Sequence, residues 1–352
     1  MKITLRRPDD WHLHLRDGAM MRAVLPYSAR VFGRAMIMPN LTPPVSTAAA
    51  ARAYRQRILA ALPPQSSFHP LMTCYLTDDL SAAELRAGAE QGIFAAAKLY
   101  PAGATTHSAR GVTALRKIWP LLEMMQEIDL PLLVHGEVVD AEVDIFDREA
   151  VFIERTLAPL LRDFPALRVV QEHVSSAAGV AFVQAQGQRM AATITPHHLT
   201  LTRTDLLAGG VHPHYYCLPV IKGSEDRRAL QRAATSGSPR FFLGTDSAPH
   251  PVRDKESARG RAGIFNSPTA LTIVTQVFEE EGALDALERF VSLNGARFYG
   301  LPINNDSITL VSGPPDIPTE IAVPELNTYI HIFLPFQFLR WQIVDELASD
   351  SN

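Results

Sequence analysis

His12 and His14 flank a single leucine in Asp10-Trp11-His12-Leu13-His14-Leu15, and twelve histidines stand against two cysteines, Cys74 and Cys217. On a strand, residues i and i+2 point to one face, so both imidazoles would face the same side. Paired imidazoles suit Zn, Fe or Ni. Two cysteines cannot build a four-cysteine zinc site or a disulfide framework. The spacing alone is a weak signal, because His212-Pro213-His214 repeats it around a proline that argues against a central strand. Four further residues carry charge or ligand chemistry at the ends of apolar runs. They are Lys98 in Ala95-Ala96-Ala97-Lys98-Leu99-Tyr100, His135 in Leu132-Leu133-Val134-His135, His173 in Val170-Gln171-Glu172-His173, and Asp246 in Phe241-Phe242-Leu243-Gly244-Thr245-Asp246. A lysine after three alanines must be paired or neutralised, since an isolated buried ammonium is costly. An ion pair with Asp246 or Glu137 would satisfy it. So would carbamylation by CO2, which turns the cation into a carboxylate-like bridge between two metals. Asp246 in turn needs a cation nearby. Together these six residues point to a metal site.

Six residues so far apart need a scaffold that gathers strand ends. Short apolar runs recur at Trp11–Leu15, Arg34–Asn40, Pro70–Thr77, Phe94–Tyr100, Leu130–His135, Arg168–Val174, Met190–Pro196 and Arg240–Asp246. Helix-like segments lie between most of them: Ala48–Ala61, Asp79–Gly88 with an N-cap at its start, Gly111–Glu127, Phe146–Phe164 and Asp226–Ser236, with Ser267–Glu281 after the last strand. Eight such units predict an α/β fold, a (β/α)8 TIM barrel, rather than a doubly wound sheet of five or six strands. In such a barrel the catalytic face lies at the C-terminal strand ends, where the six residues fall. The organisation expected is a barrel over residues 1–300 and a Pro-rich C-terminal extension over 301–352, packed on it, with a short strand at Ser307–Val311.

A hydrophobic content of 47%, a charged content of 20% and a net charge of −4 exclude wholesale disorder and argue against nucleic acid or an anionic membrane as partner. The first ten residues lack the apolar core of a signal peptide, and apolar stretches such as Leu130–Val134 are far too short to span a bilayer. With few cysteines, a cytoplasmic location is expected.

The motifs also carry a family resemblance. The chain resembles the dihydroorotases of the amidohydrolase superfamily, in their compact single-function bacterial type, over about its first 300 residues. The likeness rests on Asp10-Trp11-His12-Leu13-His14-Leu15-Arg16-Asp17, Ile37-Met38-Pro39-Asn40-Leu41, Ala97-Lys98-Leu99-Tyr100-Pro101, Leu133-Val134-His135-Gly136-Glu137, Glu172-His173-Val174-Ser175, Cys217-Leu218-Pro219 and Gly244-Thr245-Asp246-Ser247-Ala248-Pro249-His250. What it implies is a barrel holding two Zn²⁺ ions. His12, His14 and Asp246 would bind one ion, His135 and His173 the other, and N6-carboxylated Lys98 would bridge them with a hydroxide. The implied reaction is the reversible interconversion of L-dihydroorotate and N-carbamoyl-L-aspartate in pyrimidine biosynthesis, with Asp246 as catalytic base and then acid. Arg16, Asn40 and His250 would hold the non-reacting carboxylate, and the backbones of Leu218 and Ala262 would contact the ring. Thr105 and Thr106 would sit on a loop that closes over substrate. Arg16, two residues beyond His14, is expected on the same strand face. A homodimer is expected from the resemblance alone.

Two features depart from the family pattern. Arg259 and Arg261 lie beside Ala262 where small residues are expected, and the tail from about Thr319 follows the pattern poorly. Two other functions compete. Hydrolysis of a neutral cyclic amide, such as a hydantoin or allantoin, would need no carboxylate clamp. An inactive structural paralogue should have lost metal ligands, yet all six positions are filled.

Overall fold

The computed structural model describes residues 1–335 and 338–344. Its strands are β1 (Lys2–Arg6), β2 (Asp9–Leu13), β3 (Arg34–Ile37), β4 (His69–Tyr75), β5 (Ala96–Leu99), β6 (Leu132–His135), β7 (Val169–Glu172), β8 (Met190–Ile194), β9 (Phe241–Leu243), β10 (Ser307–Ser312), β11 (Glu320–Val323), β12 (Thr328–His331) and β13 (Trp341–Val344). Strands β2 to β9 form one eight-stranded parallel sheet in chain order, and a parallel bridge from Leu13 to Ser247 brings its edges together. This is the (β/α)8 barrel the alternation predicts.

Alternation sorts the strand residues into two environments. Ala97, Leu99, Leu132, Val134 and Val169 pack outward against the helices, whereas Met36, Ala96, Leu133, Val170, Ala191 and Phe242 fill the barrel interior. Trp11 closes the floor of that interior, stacked on Tyr299 with ring centroids 4.6 Å apart. One step further along the same strands, the inward positions become Lys98, His135, Glu172 and Thr193, all buried. A polar layer therefore lies directly on an apolar one. The register of β2 on β3 shifts between Asp10 and Leu13, which lets Trp11 serve the floor while His12 joins the polar layer above it.

The strands are shorter than the apolar runs suggested. Asn40, Thr77, His173 and Asp246 lie just past the last paired residues rather than within them. At His173 and Asp246 the cause is local: both adopt left-handed backbone, with φ of 41° and 45°, which ends the ladder and turns each side chain inward. Arg16 is likewise not on the strand face expected for it. The strand β2 ends at Leu13, and Arg16 has φ of 61° in the turn before the helix Gly18–Val31. Another correction concerns the third helix, which runs Ala82–Glu90 and is capped by Ser81, not Asp79. The Asp79 carboxylate is instead occupied by the Thr77 hydroxyl at 2.6 Å.

The C-terminal extension returns to the start of the chain: β10 pairs antiparallel with both β1 and β13. The hairpin of β11 and β12 follows, and the Phe333 N–H then donates to Phe265 O at 2.8 Å, while the Phe333 carbonyl accepts from Thr269 Oγ1. Among the described residues no helix is long and apolar enough to cross a membrane.

Candidate functional site

The polar layer gathers four imidazoles from three strand ends. His12 Nε2 lies 3.2 Å from His14 Nε2, and His135 Nδ1 lies 3.2 Å from His173 Nε2. The His12 ring centroid is 5.0 Å from that of His173, so the two pairs are contiguous. Asp246 joins the first pair, its Oδ1 3.4 Å from His12 Nε2 and 3.1 Å from His14 Nε2. Gly244 is what allows strand β9 this close: a Cβ there would stand 2.7 Å from Thr193 Cβ and 2.9 Å from His12 Cβ.

The outer ring nitrogens fix the tautomers. His12 Nδ1 is 2.7 Å from Glu172 Oε2, and His135 Nε2 is 2.8 Å from Glu137 Oε2, so both donate to a carboxylate. His14 Nδ1 meets Asn40 Oδ1 at 2.8 Å, while Asn40 Nδ2 donates to Thr106 O at 3.0 Å, which identifies Oδ1 as the acceptor. Burial holds the His12, His14 and His173 imidazoles below their ordinary range, with the Lys98 charge adding to it, so they are neutral at pH 7. The inner nitrogens of His12 and His14 therefore carry lone pairs. Two lone pairs 3.2 Å apart repel unless a cation lies between them. Nitrogens each bound to one zinc at its usual tetrahedral distance would be about 3.3 Å apart. The donor set fits a metal, and the carboxylates and amide behind it are the orienting partners that metal-bound histidines need.

Lys98 is wholly buried, and its Nζ has no hydrogen-bond partner among the described residues. The expected ion pairs with Asp246 or Glu137 are not formed; the Nζ instead sits 4.9 Å from the centroid of the Tyr100 ring. Burial lowers this ammonium to about 8 against the pull of Glu172 and Asp246, which brings the neutral amine within reach near physiological pH. Glu172 is pushed up to about 7, by burial above all. For Asp246, burial works to raise the carboxyl, but His12 and His14 with Lys98 outweigh it and hold it low. A buried lysine nitrogen with no partner among the described residues, beside these histidine pairs, is the group most in need of a negative charge.

Above this layer opens a narrow cleft lined by Arg16, Asn40, Tyr100, Thr105, Thr106, Leu218 and Ala262 among others. It thus joins six of the seven expected substrate contacts to the histidine cluster. The seventh, His250, is buried and reaches the same cleft through its neighbours. Its Nε2 lies 2.9 Å from Arg16 Nη2 and 3.0 Å from Ala262 O. One ring nitrogen can accept from the guanidinium or donate to the carbonyl, not both. An anionic ligand would resolve that conflict by accepting from each. Thr106 Oγ1 donates to Ala262 O at 3.2 Å, so the 105–106 segment lies across the mouth of the cleft. Arg259 and Arg261 are exposed.

Sequence reasoning did not assign Glu137, Glu172, Thr193 or Asp10. Glu172 accepts from Thr193 Oγ1 as well as from His12, and Thr193 Oγ1 accepts the His173 N–H, which ties the two histidine pairs together. Asp10 accepts from the backbone N–H of His12 and Thr245 and from the Thr245 hydroxyl, fixing the approach of Asp246. Strand alternation gives the signal for Glu172, which shares an inward face with Val170. A second buried group, His197, His198 and Cys217, also has ligand atoms within 4.8 Å of one another.

Known proteins share this architecture and sequence. The Amidohydrolase family model matches residues 10–310. A dihydroorotase of Pectobacterium carotovorum subsp. carotovorum is 55% identical over 341 residues, 97% of this chain and 98% of that protein. A dihydroorotase of Novosphingobium aromaticivorans is 57% identical over 341 residues, again 97% and 98%. The crystal structure of a Saccharomyces cerevisiae dihydroorotase in complex with 5-fluoroorotic acid matches with a TM-score of 0.89 at 34% identity, covering 97% of this chain and 98% of that one.

Proposed function

Because this chain belongs to the amidohydrolase family, and within it to the dihydroorotases, we propose that His12, His14 and Asp246 hold one zinc ion, His135 and His173 hold a second, and Lys98 carboxylated on Nζ bridges them. The reaction is the reversible hydrolysis and cyclisation that interconverts L-dihydroorotate and N-carbamoyl-L-aspartate. Two zinc ions at this site would supply a Lewis acid for the amide carbonyl and an acidified water.

The chain's own residues do the rest. The neutral Lys98 amine, favoured by burial, adds CO2 and loses a proton, placing negative charge where an ammonium would face two dications. Glu172, Glu137 and Asn40 keep the imidazole lone pairs turned inward. Asp246, held low beside His12 and His14, takes the proton of the attacking water and returns it to the departing ring nitrogen. Arg16 offers a guanidinium fork to the non-reacting carboxylate, with His250 and Asn40 beside it. The backbones of Leu218 and Ala262 receive the ring, and Thr105 and Thr106 cover it. A homodimer in the cytoplasm belongs to the same reading, and sedimentation of the purified chain tests the first part.

The observation that carries this reading is the shared cleft: a guanidinium and a carbonyl competing for one imidazole nitrogen, directly above lone pairs that need a metal. A neutral cyclic amide would leave Arg16 unanswered. Turnover of dihydroorotate, hydantoin and allantoin by the zinc-loaded protein decides between them, and faster turnover of hydantoin overturns the proposal. Elemental analysis giving two zinc per chain supports the pair, whereas fewer than one favours a structural role.

A further inference from the structure

Lys255, the last residue of the short helix Val252–Lys255, is 4% exposed, yet no part of the chemistry above uses it. Its Nζ donates to Tyr216 O at 2.8 Å, Arg261 O at 2.8 Å and Gly263 O at 2.7 Å, which spends all three N–H groups of an ammonium. The charged or titratable groups coupled to it are Cys217, Arg16, His197 and His250, with the Tyr216 ring centroid 5.9 Å away, and none of them is a carboxylate that would offset its charge. Burial lowers it to about 7. A cation buried without a counter-ion is expensive, and an apolar side chain would fill the space at less cost. What an apolar side chain cannot do is gather three carbonyls.

Those carbonyls belong to two segments that wall the cleft, one leading to Leu218 and the other flanking Ala262. The amides of the second segment follow the carbonyls: Arg261 N–H donates to Asp254 O at 3.1 Å and Gly263 N–H to Tyr216 O at 3.0 Å. Residues 261 and 263 are thus pinned through both backbone groups on the Lys255 side. Ala262 is treated differently. Its carbonyl meets Thr106 and His250 at the cleft, and its N–H has no acceptor among the described residues. Gly263 leaves no slack, since at its φ of 144° a Cβ would stand 2.7 Å from Ala248 O and 2.9 Å from His250 Cδ2.

We propose that Lys255 is a positioning residue which clamps the backbone on either side of Ala262, so that Ala262 presents its amide and carbonyl to the ring of the substrate. The inference rests on the reading that the Ala262 backbone receives that ring. It makes Lys255 a determinant of substrate affinity rather than of metal binding or proton transfer.

Steady-state kinetics of Lys255→Met with dihydroorotate test it. KM should rise by about tenfold or more while kcat stays within about threefold, the signature of lost uniform binding. Zinc per chain should equal that of the parent. An unmoved KM overturns the inference, as does a fall in kcat or zinc content at unchanged KM. Should Lys255→Met fail to fold, Lys255→Arg carries the same test, because a planar fork cannot converge on three carbonyls. There a rise in KM of about threefold with kcat held supports the clamp, and parental KM overturns it. Failure of the parent to turn over dihydroorotate would instead sink the underlying reading, so the two failures are distinguishable.

Discussion

Two buried histidine clusters sit at the strand ends of this barrel, and proximity does not separate them. His12, His14 and Asp246 have ligand atoms within 4.8 Å of one another, and so do His197, His198 and Cys217. Their hydrogen bonds do separate them. In the first cluster the outer nitrogens donate to Glu172 and Asn40, leaving lone pairs to face each other and Asp246. In the second, His198 donates from Nε2 to Pro219 O at 3.0 Å and accepts the Thr195 hydroxyl at Nδ1 at 2.8 Å. The Cys217 thiol donates to the same Pro219 O at 3.3 Å. His197 Nδ1 accepts from Asn266 Nδ2 at 3.2 Å, which leaves the ring proton on Nε2. The two imidazoles of the second cluster have already spent their lone pairs. A metal site is recognised by acceptors behind its histidines, not by the number of histidines in it.

The largest expected effect concerns Lys98, the proposed bridge between the His12–His14 and His135–His173 pairs. Lys98→Ala should lose at least about 10³-fold in kcat/KM, as expected when a metal-bridging group is removed. Short carboxylic acids should restore part of the activity by standing in for the carboxylated side chain. Intact mass of the native parent should show one added CO2. A variant that keeps parental activity would remove Lys98 from the site altogether.

A smaller effect is expected one step out. Glu137→Gln keeps an acceptor for His135 Nε2–H but removes the charge behind it, and metal affinity should fall by about 10–100-fold. Competition with a chelator reads that shift directly. Unchanged affinity would mean that orientation of the ring, rather than charge, is what Glu137 supplies.

The sequence made the first cluster legible for a simple reason. His12, His14, Lys98, His135, His173 and Asp246 each interrupt or end an apolar run, and in a barrel all such ends meet on one face. What it concealed were features that depend on pairing between distant segments. The register shift in β2 that admits both Trp11 and His12 to the interior is set by β3, and the left-handed turn at Arg16 is invisible in a strand pattern. β1 lies beside β10, about three hundred positions away in the chain, so no local signal announces it. Lys255 reads as one more surface lysine after Arg253 and Asp254 until its three carbonyls are seen to converge.

The smallest effect on catalysis, and the sharpest test of the comparison, falls on the second cluster. His197→Asn should leave zinc content at the parental value and kcat/KM within about threefold, because its lone pair is already committed to Asn266. Its signature should appear in stability instead. Burial, reinforced by the Lys255 charge, lowers the His197 imidazole from its ordinary 6.5 to about 3. The folded state therefore resists a proton that the unfolded chain accepts below 6.5, so His197 disfavours the fold progressively as pH falls from about 6.5 towards about 3. Above that window it contributes no such penalty. His197→Asn removes one buried imidazole from this balance, and the variant should lose less stability than the parent between pH 7 and pH 5 in denaturant titrations. Parallel pH slopes would show that His197 titrates alike in both states. Loss of zinc from the variant would show that the second cluster holds a metal after all.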